Sequence, residues 1–108
     1  MSEMVKVVVD AMGGDNAPVE PVKAAVEAVK EKQNILVILT GQEDVIQAEL
    51  QKYPDYPKDR IRVVHASQVI ETAEPLVMAI QKKKDSSIVV GLNLVKKQEA
   101  DAFVSSGS

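Results

Sequence analysis

The sequence predicts an α/β fold in which a parallel sheet is covered by helices on both faces. Three observations predict it. Short β-branched apolar runs alternate with stretches of helical periodicity along the whole chain. The apolar runs are continuous rather than alternating, as strands buried on both faces are. Gly, Pro, Asn and Asp gather in the gaps between the two kinds of segment.

Val5 to Asp10, VKVVVD, reads as the first strand, bounded by the Gly13-Gly14 pair. Ala11 to Pro18 is a loop. Val19, Val22, Val26 and Val29 then recur at helical spacing, which predicts a helix over 19–31 with Glu20 in its first turn. Ile35 to Thr40 is the second strand, closed by Gly41. A helix over 43–52 follows, acidic at its start, with Ile46 and Leu50 one turn apart. The Tyr53-Pro54-Asp55-Tyr56-Pro57 stretch is a turn-rich connection, and Ile61 to His65 is the third strand.

Pro75 suits the first turn of a further helix, in which Leu76 and Ile80 share a face and Lys82, Lys83 and Lys84 sit at the C-terminal end. Asp85, Ser86 and Ser87 offer capping side chains to the next one, where Ile88, Leu92 and Val95 repeat at i, i+4, i+7. Ile88-Val89-Val90 also fits a short strand, and Gly91 weakens a helix by about 1 kcal/mol; we take the helix. Asp101 to Ser105 is the last strand. With only three residues after it, residues 1–108 read as the amino-terminal part of a single larger α/β domain.

Composition removes several classes of function. The net charge is −3, which disfavours neutralising the phosphates of a nucleic acid, so no nucleic-acid partner is expected. There is no Cys, hence no disulfide, thiolate nucleophile or thiolate metal site. His and carboxylates nowhere take metal-ligand spacing, and no metal is expected. No stretch approaches the roughly 18 apolar residues of a membrane span, and no signal peptide is read at the amino terminus.

In open parallel sheets ligands bind beyond the carboxyl ends of the strands. Those ends carry Asp10 with the Gly13-Gly14-Asp15-Asn16 loop, then Thr40-Gly41, His65 and Ser105-Ser106-Gly107. The loop DAMGGDNAP, residues 10–18, is the most specific feature. Its glycines let backbone approach a ligand, and it feeds a helix N-terminus that attracts anions. The same loop also reads as a tight strand-to-helix turn capped by Asp15 or Asn16. It is neither GxGxxG nor a Walker loop, so no nucleotide fingerprint is present. Asp10 orients a ligand or binds the loop's own N–H groups. His65, the only His, binds phosphate or moves a proton, or is a satisfied structural residue. The run KKKDSS, residues 82–87, holds an anion through Lys84 and the hydroxyls of Ser86 and Ser87, or is a solvated helix end beside a cap.

VDAMGGDNAP at 9–18, VHASQVI at 64–70, KKKDSS at 82–87 and LVKKQEADAFVS at 94–105, followed by the turn SGS, resemble in order and spacing the amino-terminal third of the bacterial phosphate acyltransferases of phospholipid synthesis, the PlsX-type family. The family's last turn reads SAGNTGA; here Ser106 stands in place of its Ala and Ser108 in place of its Asn. The resemblance implies an enzyme about three times this length with a three-layer αβα Rossmann-like fold, mostly parallel and similar to isocitrate and isopropylmalate dehydrogenases. It implies a reaction that forms acyl phosphate from acyl-[acyl carrier protein] and inorganic phosphate, with no cofactor. A coenzyme A-dependent phosphotransacetylase and a non-catalytic phosphate- or nucleotide-binding module are the other readings.

Its implied partners are acyl carrier protein, inorganic phosphate, a second copy in a homodimer, and a downstream membrane glycerol-phosphate acyltransferase. Its implied location is the cytoplasm or the inner membrane face. Carried over residue by residue, Asp10, Gly13, Gly14, Asp15, Asn16, His65, Lys84, Asp85, Ser86, Ser87, Ser105 and Gly107 are the expected substrate- and phosphate-binding residues. The catalytic set itself is expected beyond residue 108.

Overall fold

A computed structural model describes residues 4–13, 16–68 and 76–105. The elements in order are β1 (Val5–Asp10), α1 (Val19–Glu31), β2 (Ile35–Gly41), α2 (Glu43–Leu50), a 3-10 turn (Lys58–Arg60), β3 (Ile61–His65), α3 (Leu76–Lys82), α4 (Ser87–Lys96) and β4 (Ala102–Val104). The four strands form one sheet in the order β3-β2-β1-β4, and every neighbouring pair is parallel.

β2 explains the continuous apolar run. Val37 and Leu39 point to one face, where they pack with Val22, Val26 and Val29 of α1 and Ile46 and Leu50 of α2. Leu36 and Ile38 point to the other, where they join Val8, Ala100, Leu94, Val95 and Phe103 under α4. Successive residues of a strand alternate between faces, so a central strand covered by helices on both sides is apolar at consecutive positions along its middle, Leu36 to Leu39. The result is three layers, with α1 and α2 on one side of the sheet and α4 on the other. Each fully buried aliphatic side chain of this kind stabilises the fold by roughly 1.5–3 kcal/mol.

The stretch around Ile88 is helical, as its period requires, and Gly91 has a packing reason. A Cβ built there would lie 2.5 Å from the Phe103 ring and 3.0 Å from Val8. Only a residue without a side chain lets α4 lie this close to β1 and β4. The helix begins on Ser86, whose Oγ accepts the Val89 N–H at 3.2 Å. It ends at Gln98, which takes a positive φ of 62°. The Gln98 N–H then reaches the Val95 carbonyl and the Glu99 N–H the Leu94 carbonyl, the paired bonds that close a helix through a left-handed residue.

Several boundaries differ from the sequence reading: β2 takes in Gly41, and α3 ends at Lys82, leaving Lys83 and Lys84 beyond it. α2 stops at Leu50 rather than Lys52, because the Lys52 and Tyr53 amides bond three residues back and tighten the chain out of the helix. β4 is Ala102–Val104 rather than 101–105. Asp101 instead pins the start of β1, accepting the Lys6 N–H at 2.9 Å and donating its own amide to the Lys6 carbonyl at 2.8 Å. Pro75 lies outside the described residues.

Among the described residues, no helix is long and apolar enough to cross a membrane.

Candidate functional site

The strand order places a topological switch beside β1. The chain runs outward on one side from β1 to β2 to β3, then crosses back to lay β4 on the other side of β1. In open α/β sheets the crevice outside the carboxyl ends of such a pair is where ligands bind. β1 and β4 end there in Asp10 and in Ser105, the residue after Val104.

Asp10 is 1% exposed. A buried carboxylate needs hydrogen-bond donors, and Asp10 finds them on three separate segments. Its Oδ1 accepts the Met12 N–H at 3.0 Å and the Ser87 hydroxyl. Its Oδ2 accepts the Ser105 hydroxyl at 3.1 Å. The loop after β1, the start of α4 and the tip of β4 are thus tied to one side chain.

The neighbouring strand joins the same cluster. Thr40, fully buried near the end of β2, donates its hydroxyl to the Ser87 carbonyl at 2.9 Å. Gly13 lies against the carboxylate so closely that a Cβ there would sit 2.6 Å from Asp10 Oδ2 and 3.1 Å from Ser105 Oγ.

A second cluster holds the end of β3 to the turn before α4. Asp85 Oδ2 accepts both the amide (2.9 Å) and the hydroxyl of Ser67. The Asp85 amide donates to Gln68 Oε1 at 3.0 Å, and the Gln68 amide to the Asp85 carbonyl at 3.0 Å. The Ser67 hydroxyl, then its amide, hold the Asp85 carboxyl below the usual carboxylate range, and the nearby His65 adds to the effect. His65 Nδ1 accepts the Glu43 N–H at 3.2 Å. It therefore caps α2, whose own N-cap residue Gln42 makes no side-chain capping bond. An accepting Nδ1 puts the proton of the neutral ring on Nε2.

The structure brings together Asp10, Gly13, Ser87 and Ser105 at the switch, with Ser86 buried beside them as the cap of α4. His65 and Asp85 belong to the cluster at the β3 end. Lys84 is exposed in the turn between α3 and α4. Asn16 is exposed and contributes its backbone carbonyl, not its side chain, to the first turn of α1. Gly14, Asp15 and Gly107 lie outside the described residues.

Sequence reasoning placed Thr40 at the ligand-binding strand ends without counting it among the binding residues, and did not single out Ser67 or Gln68. Thr40 carried a signal, a hydroxyl closing an otherwise apolar strand. Ser67 and Gln68 lie inside the VHASQVI stretch that carries the resemblance, but nothing in it marked them singly. Two surface clefts, of about 390 and 280 Å³, lie away from the strand tips. Val29, Gln33, Tyr56 and Arg60 line the first, and Leu50, Tyr53, Tyr56 and Lys58 the second. Among the described residues no three His, Asp or Glu side chains gather as metal ligands would.

Comparison with known proteins gives this arrangement a family. Residues 5–108 match the family described as fatty acid synthesis protein. The chain is 54% identical to a phosphate acyltransferase of Alkaliphilus oremlandii over 103 residues, 95% of this chain and 30% of that protein. It is 52% identical to one of Clostridium botulinum, covering 95% of this chain and 31% of that protein. It is 47% identical to one of Halothermothrix orenii, covering 95% and 30%. The chain therefore spans about a third of the length of these relatives. A match over nearly all of its residues, on the fold and strand-tip cluster described above, leads to one conclusion: the chain belongs to the fatty acid synthesis protein family.

Proposed function

We propose that this chain is the amino-terminal third of a single-domain phosphate acyltransferase. The enzyme transfers the acyl group of an acyl-[acyl carrier protein] thioester to inorganic phosphate. The observation that carries the reading is the cluster at the β1–β4 switch, where one buried carboxylate holds a glycine loop, a helix start and a strand tip side by side. The names of the relatives support the chemistry.

The reaction asks little of the protein beyond placement. An oxygen of hydrogen phosphate attacks the thioester carbonyl. A carbon–oxygen bond forms, the carbon–sulfur bond breaks, and the proton of the phosphate leaves with the carrier as a free thiol. A thioester is already activated, so the charges balance without a cofactor. The site must hold phosphate within about 3–3.5 Å of the carbonyl carbon and supply donors to the tetrahedral oxyanion. Glycine backbone and helix starts at strand tips provide donors of that kind.

The product is a mixed anhydride that hydrolyses readily, which favours direct hand-over to a membrane glycerol-phosphate acyltransferase. A homodimer working in the cytoplasm or at the inner membrane face completes the proposal. Full-length protein given acyl-[acyl carrier protein] is expected to release carrier thiol, and to form hydroxylamine-trapped acyl phosphate, only when phosphate is added. Thiol release independent of phosphate overturns the reading. A preference for acyl-coenzyme A replaces the carrier with coenzyme A.

A further inference from the structure

The resting geometry of the two serines at the switch does not suit a phosphate ligand. A serine hydroxyl has one proton. Ser87 spends its proton on Asp10 Oδ1 and Ser105 on Asp10 Oδ2. What each oxygen then offers elsewhere is lone pairs, which repel an anion. Turning either hydroxyl outward would strip a donor from a carboxylate that is 1% exposed and that, among the described residues, accepts from the Met12 amide besides the two serines. Ser87 is further fixed from behind, since Thr40 holds its carbonyl and it is itself 2% exposed.

We infer that Asp10 is the positioning residue of this site, and that Ser87 and Ser105 keep their protons on Asp10 and align the strand tips instead of ligating the phosphate. The inference rests on the acyltransferase reading above. Asp10 joins residues 77 and 95 positions away in the chain. Its loss therefore misaligns three segments at once: the Gly13 loop, the start of α4 and the exit from β4. A misplaced cradle slows the reaction without removing any group that touches the anion. The signature is a fall in kcat with KM for phosphate nearly unchanged.

The test is steady-state kinetics of the full-length protein against phosphate. Asp10→Asn keeps the shape of the carboxylate, but one of its two atoms can no longer accept a hydroxyl proton. It is expected to lower kcat about 100-fold, the scale of a misplacement near 1 Å, and to leave KM for phosphate within about threefold. Ser105→Ala and Ser87→Ala are expected to lower kcat about tenfold with the same flat KM. Hydrogen exchange at the Met12 amide is expected to quicken in Asp10→Asn.

Wild-type kcat in Asp10→Asn overturns the inference. So does a rise of tenfold or more in KM for phosphate at constant kcat in either serine variant, since that marks a ligand. If Asp10→Asn fails to fold, Ser105→Ala decides by the same split. Failure of the acyltransferase reading shows separately, as wild-type turnover that ignores phosphate.

Discussion

At the carboxyl ends of the strands a buried carboxylate gathers hydroxyl groups, whereas at the amino ends a guanidinium gathers backbone carbonyls. Asp10 accepts from Met12, Ser87 and Ser105. Arg60 donates through Nη2 to the Val29 carbonyl at 2.6 Å, and through Nη1 to the carbonyls of Lys32 at 2.6 Å and Ile35 at 3.3 Å. Arg60 solves a problem every helix has. The last carbonyls of α1 lack partners within the helix, and a cation there also meets the negative end of its dipole. Asp10 solves no such problem: an apolar residue would bury at that strand tip with less penalty. A polar cluster that the fold does not need is the mark of a site. The amino edge should therefore govern stability and the carboxyl edge activity.

The largest effect should come from Gly13→Ala. Its methyl group would stand 2.6 Å from Asp10 Oδ2, so the carboxylate must give up Ser105 or the loop must lift. Full-length enzyme is expected to lose about 100-fold in turnover, as misplacements near 1 Å do. Overpacking of this kind costs about 1–3 kcal/mol of stability. Turnover near wild type would erase the distinction between the two edges.

Arg60→Ala is the reciprocal case. Three charge-assisted bonds to partly hydrated carbonyls disappear, with an expected loss of about 2 kcal/mol in chemical denaturation. Lysine in its place should recover only part, because a point charge cannot fork to several carbonyls at once. Both variants should retain wild-type KM and kcat. A kinetic defect in a well-folded Arg60→Ala protein would mean that the amino edge also feeds the site.

The sheet was more legible in the sequence than the site was. Continuous apolar runs such as Ile35 to Thr40 announce strands covered on both faces, and the valines of α1 announce a helix, because both signals are local. The Asp10 cluster joins residues 77 and 95 positions apart, and no spacing rule reaches that far. Asp10, Ser87 and Ser105 could be picked out singly, as polar residues at strand and helix ends, but not as partners. Gly91 shows the opposite case: local propensity counted against its helix, and packing against Phe103 outweighed it.

The cluster at the β3 end allows a test by pH. The Asp85 carboxyl lies below its ordinary value of 3.8 in the folded chain, chiefly through the Ser67 hydroxyl. A depressed carboxyl contributes stability that is complete above its unfolded value and is lost as pH falls through the folded one. Ser67→Ala removes the main cause. Its destabilisation should be visible at neutral pH and should fade below pH 3.8, as the parent protein loses the same contribution. Parallel acid-denaturation curves for parent and variant would show that Ser67 does not hold the carboxyl down.

The smallest effect, and the only gain, is expected at Gln98. A left-handed residue with a side chain costs roughly 1 kcal/mol relative to glycine, since its Cβ crowds the following carbonyl. Gln98→Gly relieves that crowding at the amino edge, where β4 is about to begin. It leaves untouched the two amide bonds that close α4. The unfolded chain gains freedom from the added glycine, which takes back part of the benefit. A net stabilisation of about 0.5 kcal/mol is therefore expected, with kinetics identical to wild type. If the substitution slows turnover instead, α4 transmits changes from its C-terminal end to Ser87 at its start, and the two edges of the sheet are coupled through that helix.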